Sequence, residues 1–184
     1  MSTTTIVAPT NTAPNDYEAL FEIIDGQRVE IPPMSAFACL IANFLARELN
    51  FYARQDDLGQ AVVEVLFHLA LPVDRNRRPD VAFVSYDDWP KDRVVDPTAN
   101  AWDVVPKLAV EVVSPHDLVE ELIDKIDEYF RSGVRLIWVV FPRHSSVYVY
   151  ETNKVIRVLT RDDTLDGGKV LPQFQLSLKD LFIE

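Results

Sequence analysis

Residues 108–113 have the sequence LAVEVV, a β-prone apolar run that contains a single acid, Glu111. A run that is apolar on both faces is typical of a strand in the interior of a sheet. An ionised carboxylate in such a strand is costly to bury unless it is paired or bound to a cation. The sequence therefore leaves two interpretations of Glu111 open: a structural ion pair or a functional ligand.

The segments on either side of this strand carry signals for hairpins, helices and further strands. An Asp-Gly dipeptide at residues 25–26 favours a tight hairpin turn, Ser35 and Ser114 can cap helices, and Gly133 can end one. In chain order, the predicted elements are a hairpin at 21–31, a helix from Ser35 to Ala53, strands near 61–67, 81–85 and 108–113, a helix that starts at Ser114, strands at 135–141 and 147–150, and a short closing element at 172–182. Together they indicate an α/β (α+β) fold with a central mixed β-sheet flanked by helices and an N-terminal β-hairpin.

A long polar segment, residues 86–106, separates two of the predicted strands and contains Trp89 and Trp102. A loop of this length is typically a functional flap or partly disordered.

Length and composition bound the class of protein. With 184 residues, 48% of them hydrophobic, the chain can form one ordinary domain with a core. We expect a single domain over residues 15–184 and a disordered tail over 1–14, which lacks apolar periodicity. Because no apolar segment is long enough for a bilayer and the start lacks the features of a signal peptide, we predict no membrane association and a cytoplasmic location. Cys39 is the single cysteine, which excludes an intrachain disulfide and a cysteine-based zinc site.

The formal net charge of -11 argues against a large electrostatic footprint on nucleic acid. It weakens a nuclease interpretation without excluding it, because a local basic cluster at Arg75, Arg77 and Arg78 could still meet phosphates.

Asp80 follows Arg78-Pro79 and directly precedes the strand predicted at residues 81–85. Adjacent strands could place Asp80 and Glu111 at corresponding heights, where carboxylate oxygens suit a hard divalent ion such as Mg²⁺ or Mn²⁺. An acid after a proline also commonly caps a strand or turn, so a structural role for Asp80 stays open.

Lys125 lies in the helix predicted after Ser114. At about 100° per residue it is only about 20° from Leu118, at the edge of the apolar face that packs on the sheet. Its side chain could therefore reach Glu111 along the sheet surface, or extend its stem along the core edge with the amine in water.

Two further acids, Glu22 and Glu64, lie in strand-like runs, where each either completes the site or faces solvent. His68, His116 and His144 show no metal-ligand spacing, and we expect a surface or capping role for each.

Several of these segments together resemble the Uma-type restriction endonuclease family, within the PD-(D/E)xK nuclease superfamily. The resemblance covers about Tyr17 to Phe182 and rests on FEIIDG at 21–26, RPDV at 78–81, LAVEVVSP at 108–115, Asp124-Lys125 with Tyr129, and GVRLIWVV at 133–140. In the superfamily pattern the lysine stands two positions after the glutamate, where this chain has Val113. The resemblance therefore implies that Lys125, on the following helix, takes its place.

The resemblance implies a restriction endonuclease-like domain and a metal-dependent nuclease that hydrolyses phosphodiester bonds, with DNA as the expected nucleic acid. Asp80, Glu111 and Lys125 would be catalytic, and Asp80, Glu111 and Val112 would bind Mg²⁺ or Mn²⁺. The ion would activate a water, and Lys125 would orient that water or stabilise the transition state. The oligomeric state stays open, although nucleases that cut duplexes are often dimers, and a homodimer could have Trp89 or Trp102 in its interface.

An interpretation from another functional class also stays open: a non-catalytic module that keeps the nuclease fold and binds a protein through its acidic surface and the 86–106 loop. The negative charge favours the module, and the intact triplet favours the nuclease. Other enzyme classes find no support, because the chain has no Gly-x-Ser-x-Gly elbow and none of its five glycines forms a phosphate-binding loop.

Overall fold

The structure is a computed structural model that describes residues 19–115 and 117–182. The tail predicted over residues 1–14 and the role expected of His116 lie outside the described residues.

The described residues form twelve strands and three α-helices. The strands are β1 (Phe21–Ile24), β2 (Gln27–Glu30), β3 (Gly59–Val63), β4 (Phe67–His68), β5 (Asn76–Arg77), β6 (Val81–Ser85), β7 (Leu108–Val112), β8 (Leu136–Phe141), β9 (Ser146–Thr152), β10 (Val155–Thr160), β11 (Thr164–Gly167) and β12 (Leu171–Ser177), and the helices are α1 (Ala36–Ala53), α2 (Val119–Ser132) and α3 (Leu178–Leu181).

The central sheet has six strands in the order β10-β9-β8-β7-β6-β3. β7 and β8 are parallel, and the other neighbours in this sheet are antiparallel, so the sheet is mixed. All five residues of β7 are buried, as the apolar run predicts. The predicted fold class, a mixed sheet flanked by helices with an N-terminal hairpin, is confirmed.

The two faces of the central sheet pack against different helices. Val110 and Val112 of β7 belong to the apolar cluster that includes α1, whereas Ala109 belongs to the cluster that includes Tyr129 of α2. Because side chains alternate along a strand, Glu111 faces α2.

The local signals at the N-terminal side act as predicted. Asp25 and Gly26 both have positive φ angles, 53° and 74°, which the tight turn between β1 and β2 requires. The side chain of Ser35 accepts a hydrogen bond from the backbone N–H of Ala38 and caps α1.

Helix α2 begins later than predicted. Ser114 is not its cap, because the backbone N–H of Ser114 donates to Oδ2 of Asp117 at 2.7 Å and holds these residues in a turn. The cap position is Leu118, which is extended, and the helix ends at Gly133 with φ 110° as expected.

Some predicted strands are also corrected. The strand expected near residues 61–67 is interrupted at Glu64, whose φ of 51° ends β3. The mostly exposed strand β10 was not predicted, since it lacks an apolar alternation that distinguishes it from a loop. β11 was not predicted, and the closing element expected at residues 172–182 consists of most of β12 followed by α3.

The long segment over residues 86–106 is anchored to the protein at Trp89 and Trp102, whereas residues 90–100 between them are exposed. Trp89 and Trp102 are each 6% exposed, and Trp102 stacks on Phe67 with ring centroids 5.7 Å apart. The chain itself covers both rings, so the expectation of an indole in a subunit interface is corrected. That the 86–106 loop binds a partner protein stays a prediction. None of the helices in the described ranges combines the length and apolar character that crossing a bilayer requires.

Candidate active site

Asp80 and Glu111 lie opposite each other on neighbouring strands. The antiparallel ladder between β6 and β7 ends at the pair Val81 and Val110, and one further step in that register reaches Asp80 and Glu111. The backbone N–H of Val112 donates to Oδ2 of Asp80 at 2.6 Å. The structure thus places the two acids at corresponding heights, as expected from the sequence.

Lys125 and Tyr129 reach Glu111 from α2. Nζ of Lys125 lies 3.4 Å from Oε2 of Glu111, and the Tyr129 hydroxyl donates to Oε1 at 2.7 Å. The two residues are four positions apart, so they occupy one face of the helix. The Lys125 side chain is only 21% exposed, and of the two predicted orientations it adopts the one toward Glu111.

Glu22 joins the same group of side chains from the N-terminal hairpin. It is 1% exposed, and its Oε1 lies 3.4 Å from Nζ of Lys125. Its Oε2 accepts a 2.6 Å bond from Arg77, and Oε1 accepts the backbone N–H of Arg78 at 3.0 Å. The interpretation that Glu22 faces solvent is wrong, because pairing of β1 with β5 carries it inside.

A buried ion-pair network continues from Glu22 away from the site. Nε of Arg77 donates to Glu128 at 2.6 Å, and Glu128 also lies 3.1 Å from Arg75. Glu128 was missed from sequence, although it stands three positions after Lys125 and so shares its helix face. We call Glu22, Arg77, Glu128 and Arg75 the arginine network.

The basic cluster expected to meet phosphates serves the fold instead. Arg77 is 5% exposed, and Arg75 pairs with Asp25 at 2.8 Å as well as with Glu128. Arg78 donates to the backbone carbonyls of Phe21 and Glu64. These contacts correct the expectation of a phosphate-binding surface at this cluster.

Glu64 contacts the site through its backbone. It is half-buried, its N–H donates to the carbonyl of Asp80 at 3.2 Å, and its own carbonyl accepts from Arg78. Of the two further acids, the structure therefore brings the carboxylate of Glu22, and not that of Glu64, to Lys125.

Burial sets the protonation of the two opposed acids. Burial, together with the charge of Glu111, raises the pKa of Asp80 to about 8, although the Val112 N–H and Lys125 oppose the shift. Burial also raises the pKa of Glu111 against the effect of Lys125 and Tyr129. The positive charge of Lys125 therefore does not fully compensate the burial of the two carboxylates, Asp80 and Glu111.

The pKa values of Glu22 and Lys125 are shifted in the directions that favour their charged forms. Burial favours the neutral form of each group, but Lys125 and Arg77 lower the pKa of Glu22. Glu111 and Glu22 in turn raise the pKa of Lys125.

The donor set fits a hydrated hard cation. Mg²⁺ is usually held by one or two carboxylates and completes its shell with waters and substrate phosphates, and two opposed carboxylates short of positive charge match that preference. Within residues 19–115 and 117–182, no group of three or more His, Cys, Asp or Glu side chains is arranged to hold a metal. A site at Asp80 and Glu111 therefore needs outside oxygens. Val112 can add only its backbone carbonyl, since its side chain is apolar.

Neither of the two described histidines is hydrogen bonded or ion paired to Asp80 or Glu111. Exposed His68 contacts Asp103 at 3.1 Å. His144 lines a cleft of about 210 Å³ at the carboxyl ends of β7 and β8, with Val113, Ser114, Pro115, Asp117 and Phe141–Arg143. The cleft begins at Val113, directly after Val112, whose backbone N–H donates to Asp80.

Comparisons with known proteins identify a family and a similar fold. A family model described as "Uma2: Putative restriction endonuclease" matches residues 13–179. Among solved structures, the chain is similar to a "putative nuclease belonging to DUF820" from Anabaena variabilis, with 20% identity, a TM-score of 0.76, and coverage of 88% of this chain and 89% of that one. No curated protein matches the chain.

Proposed function

The chain belongs to the Uma2 family, which is described as "Putative restriction endonuclease", and we propose that it hydrolyses phosphodiester bonds of nucleic acid, with DNA as its substrate. The proposed active site consists of Asp80, Glu111 and Lys125 and uses Mg²⁺ or Mn²⁺. Its domain is proposed to span residues 15–184.

One observation carries the proposal: side chains from three separate segments converge. Asp80 precedes β6, Glu111 lies in β7 and Lys125 lies on α2. Nζ of Lys125 is nevertheless 3.4 Å from Oε2 of Glu111. Asp80 lies opposite Glu111, one step beyond the last pair of the β6–β7 ladder. A buried group of two acids and a lysine with perturbed pKa values is typical of a catalytic site.

The protein's own residues have distinct tasks in this mechanism. A divalent ion bound by Asp80 and Glu111 would supply the charge that lowers the pKa of a water and neutralises the phosphate. Tyr129 orients Glu111 by its hydrogen bond, and the Val112 N–H orients Asp80. The ammonium group of Lys125 stabilises negative charge that develops on the phosphate oxygens.

Lys125 needs a fixed position for this task. Its amine lies at 3.4 Å from both Glu22 and Glu111. Glu22 in turn is held by Arg77 at 2.6 Å. We assign Glu22 as the positioning residue of Lys125, with the arginine network behind it.

The test is cleavage of supercoiled plasmid, linear duplex, single-stranded DNA and single-stranded RNA with Mg²⁺, with Mn²⁺ or with EDTA. We expect DNA cleavage with either ion, none with EDTA, and none with Asp80→Asn. Asp103→Asn is the matched control, because Asp103 is an exposed acid whose partner is His68. Wild-type rates from Asp80→Asn would refute the site, and equal rates in EDTA would refute the metal requirement.

A further inference from the structure

Helix α1 has a second apolar face that points to solvent. Phe37, Leu40 and Phe51 are 55%, 69% and 70% exposed. At about 100° per residue these three lie within about 60° of one another on the helix, and the partly buried Phe44 lies between them. We call these four residues the α1 stripe.

The α1 stripe is not needed to bury the helix. The opposite face already supplies seven buried residues to the core: Ala38, Ile41, Ala42, Leu45, Ala46, Leu49 and Ala53. Single exposed apolar residues are normal on a protein surface, whereas a contiguous group on one rigid element marks an interaction surface.

Two of the three exposed residues of the stripe, Phe37 and Phe51, are symmetric about Phe44, whereas the mirror position of Leu40 is Glu48. Phe37 and Phe51 each stand seven positions from Phe44, which is about two helical turns. If two copies of α1 pack antiparallel with a two-fold axis at Phe44, Phe37 of each copy meets Phe51 of the other. A surface that matches itself in this way suits an isologous homodimer.

Charge does not oppose a contact between two copies at the α1 stripe. The chain carries a net charge of -11, which disfavours association of two copies through faces that are rich in acids. Arg47 and Glu48 are the only charged residues of α1, and they form an ion pair at 2.9 Å. The stripe therefore adds no net charge where two copies meet.

The area of the stripe suits the centre of such an interface. A large side chain can bury about 150–250 Å², so the exposed parts of Phe37, Leu40 and Phe51 amount to roughly 350 Å². A standard interface buries about 800 Å² per partner, with an apolar centre and a polar rim. Asn43 and Arg47 are placed to supply part of that rim, whereas the side chain of Asn50 is already hydrogen bonded to the backbone of Ala61.

We propose that the protein forms a homodimer in which α1 packs antiparallel against α1 of a second copy through the α1 stripe. The proposal is independent of the catalytic one, because the stripe lies on the side of the sheet opposite to Glu111.

The first experiment measures the mass of the full chain in solution by light scattering and sedimentation at several concentrations. We expect about twice the chain mass of 21.0 kDa for the wild type, and the chain mass for a Leu40→Arg/Phe51→Glu double variant. Val158→Arg is the matched control, because Val158 is 55% exposed on the edge strand β10, and it should stay dimeric. A monomeric wild type, or a double variant that stays dimeric, would overturn the proposal.

Disulfide trapping gives a second readout that does not require a disruptive change. In a Cys39→Ser background, an oxidised mixture of Phe37→Cys and Phe51→Cys chains should form crosslinked dimers, whereas each chain alone should form at least tenfold fewer. Phe44→Cys alone should crosslink, because its two copies meet at the axis. Equal crosslinking of the mixture, of Phe37→Cys alone and of Phe51→Cys alone would contradict the antiparallel arrangement. The absence of crosslinking from the mixture or from Phe44→Cys would also contradict it. Nuclease activity does not enter either readout.

Discussion

Oδ2 of Asp80 accepts a 2.6 Å hydrogen bond from the backbone N–H of Val112. The bond joins the start of β6 to the end of β7, where the backbone ladder between these strands has already stopped at Val81 and Val110. The Asp80 side chain thus continues the pairing by one step. The carboxylate is held in one orientation beside Glu111, and its other oxygen is not used by this bond.

The raised pKa of Asp80 makes stability depend on pH. Between its ordinary pKa of 3.8 and its folded value of about 8, the folded protein binds a proton that the unfolded chain has lost. The contribution to stability is complete below about pH 4 and declines toward pH 8, by about 1.4 kcal/mol per pH unit for this group. Urea unfolding in EDTA should show Asp80→Asn losing less stability than the wild type between pH 5 and pH 8. Parallel losses in the two proteins would contradict the shift.

Metal binding should depend on Glu111 and not on Glu64. Calorimetric titration with Mn²⁺ is expected to show saturable binding to the wild type and to Glu64→Gln, and no binding to Glu111→Gln, since only Glu111 lies opposite Asp80. Glu64→Gln is the control because the structure links Glu64 to the site by its backbone. Equal affinities in all three proteins would place the ion elsewhere.

Replacing Lys125 should separate catalysis from metal binding. Lys125→Met is expected to lower kcat by about 100-fold or more, the usual effect of removing one group that stabilises a transition-state charge. Mn²⁺ binding should persist, because the lysine is not a ligand. The folded state should also lose about 3 kcal/mol, since Glu22 and Glu111 lose their shared cation. A variant with normal kcat would exclude Lys125 from the reaction.

Arg77 should be important for folding as well as for positioning. Arg77→Met leaves the buried acids Glu22 and Glu128 without a 2.6 Å partner each, and we expect a loss of about 3–5 kcal/mol of unfolding free energy in urea. Arg131→Ala is the control, because its pair with Asp127 is exposed and should contribute only about 0.5 kcal/mol. Similar losses in the two variants would show that burial does not determine the effect.

The sequence predicts most of what depends on neighbours in the chain. The turn at Asp25-Gly26, the cap at Ser35 and the buried strand at residues 108–112 are local or periodic signals, and the structure has all three. The opposition of Asp80 and Glu111 could also be predicted, because the two strands are consecutive in the sheet.

Long-range pairing explains what was missed. Glu22 accepts a hydrogen bond from Arg77, which is 55 positions away in the sequence. No local sequence pattern near either residue predicts this contact. The start of α2 was misplaced because a side-chain bond from Asp117 competes with the capping signal at Ser114. Trp89 and Trp102 were assigned to a surface because sequence polarity does not reveal that they pack edge to face at 5.4 Å.

The N-terminal hairpin is outside the central sheet, yet the site depends on it. A chain shortened to begin at Pro32 would keep every strand of the six-stranded sheet but would lack Glu22. Lys125 would then retain Glu111 as its one carboxylate partner within 3.4 Å, and Arg77 would retain Glu128. Truncation or replacement of this hairpin would therefore change the charge balance of the candidate active site without removing a strand of the central sheet.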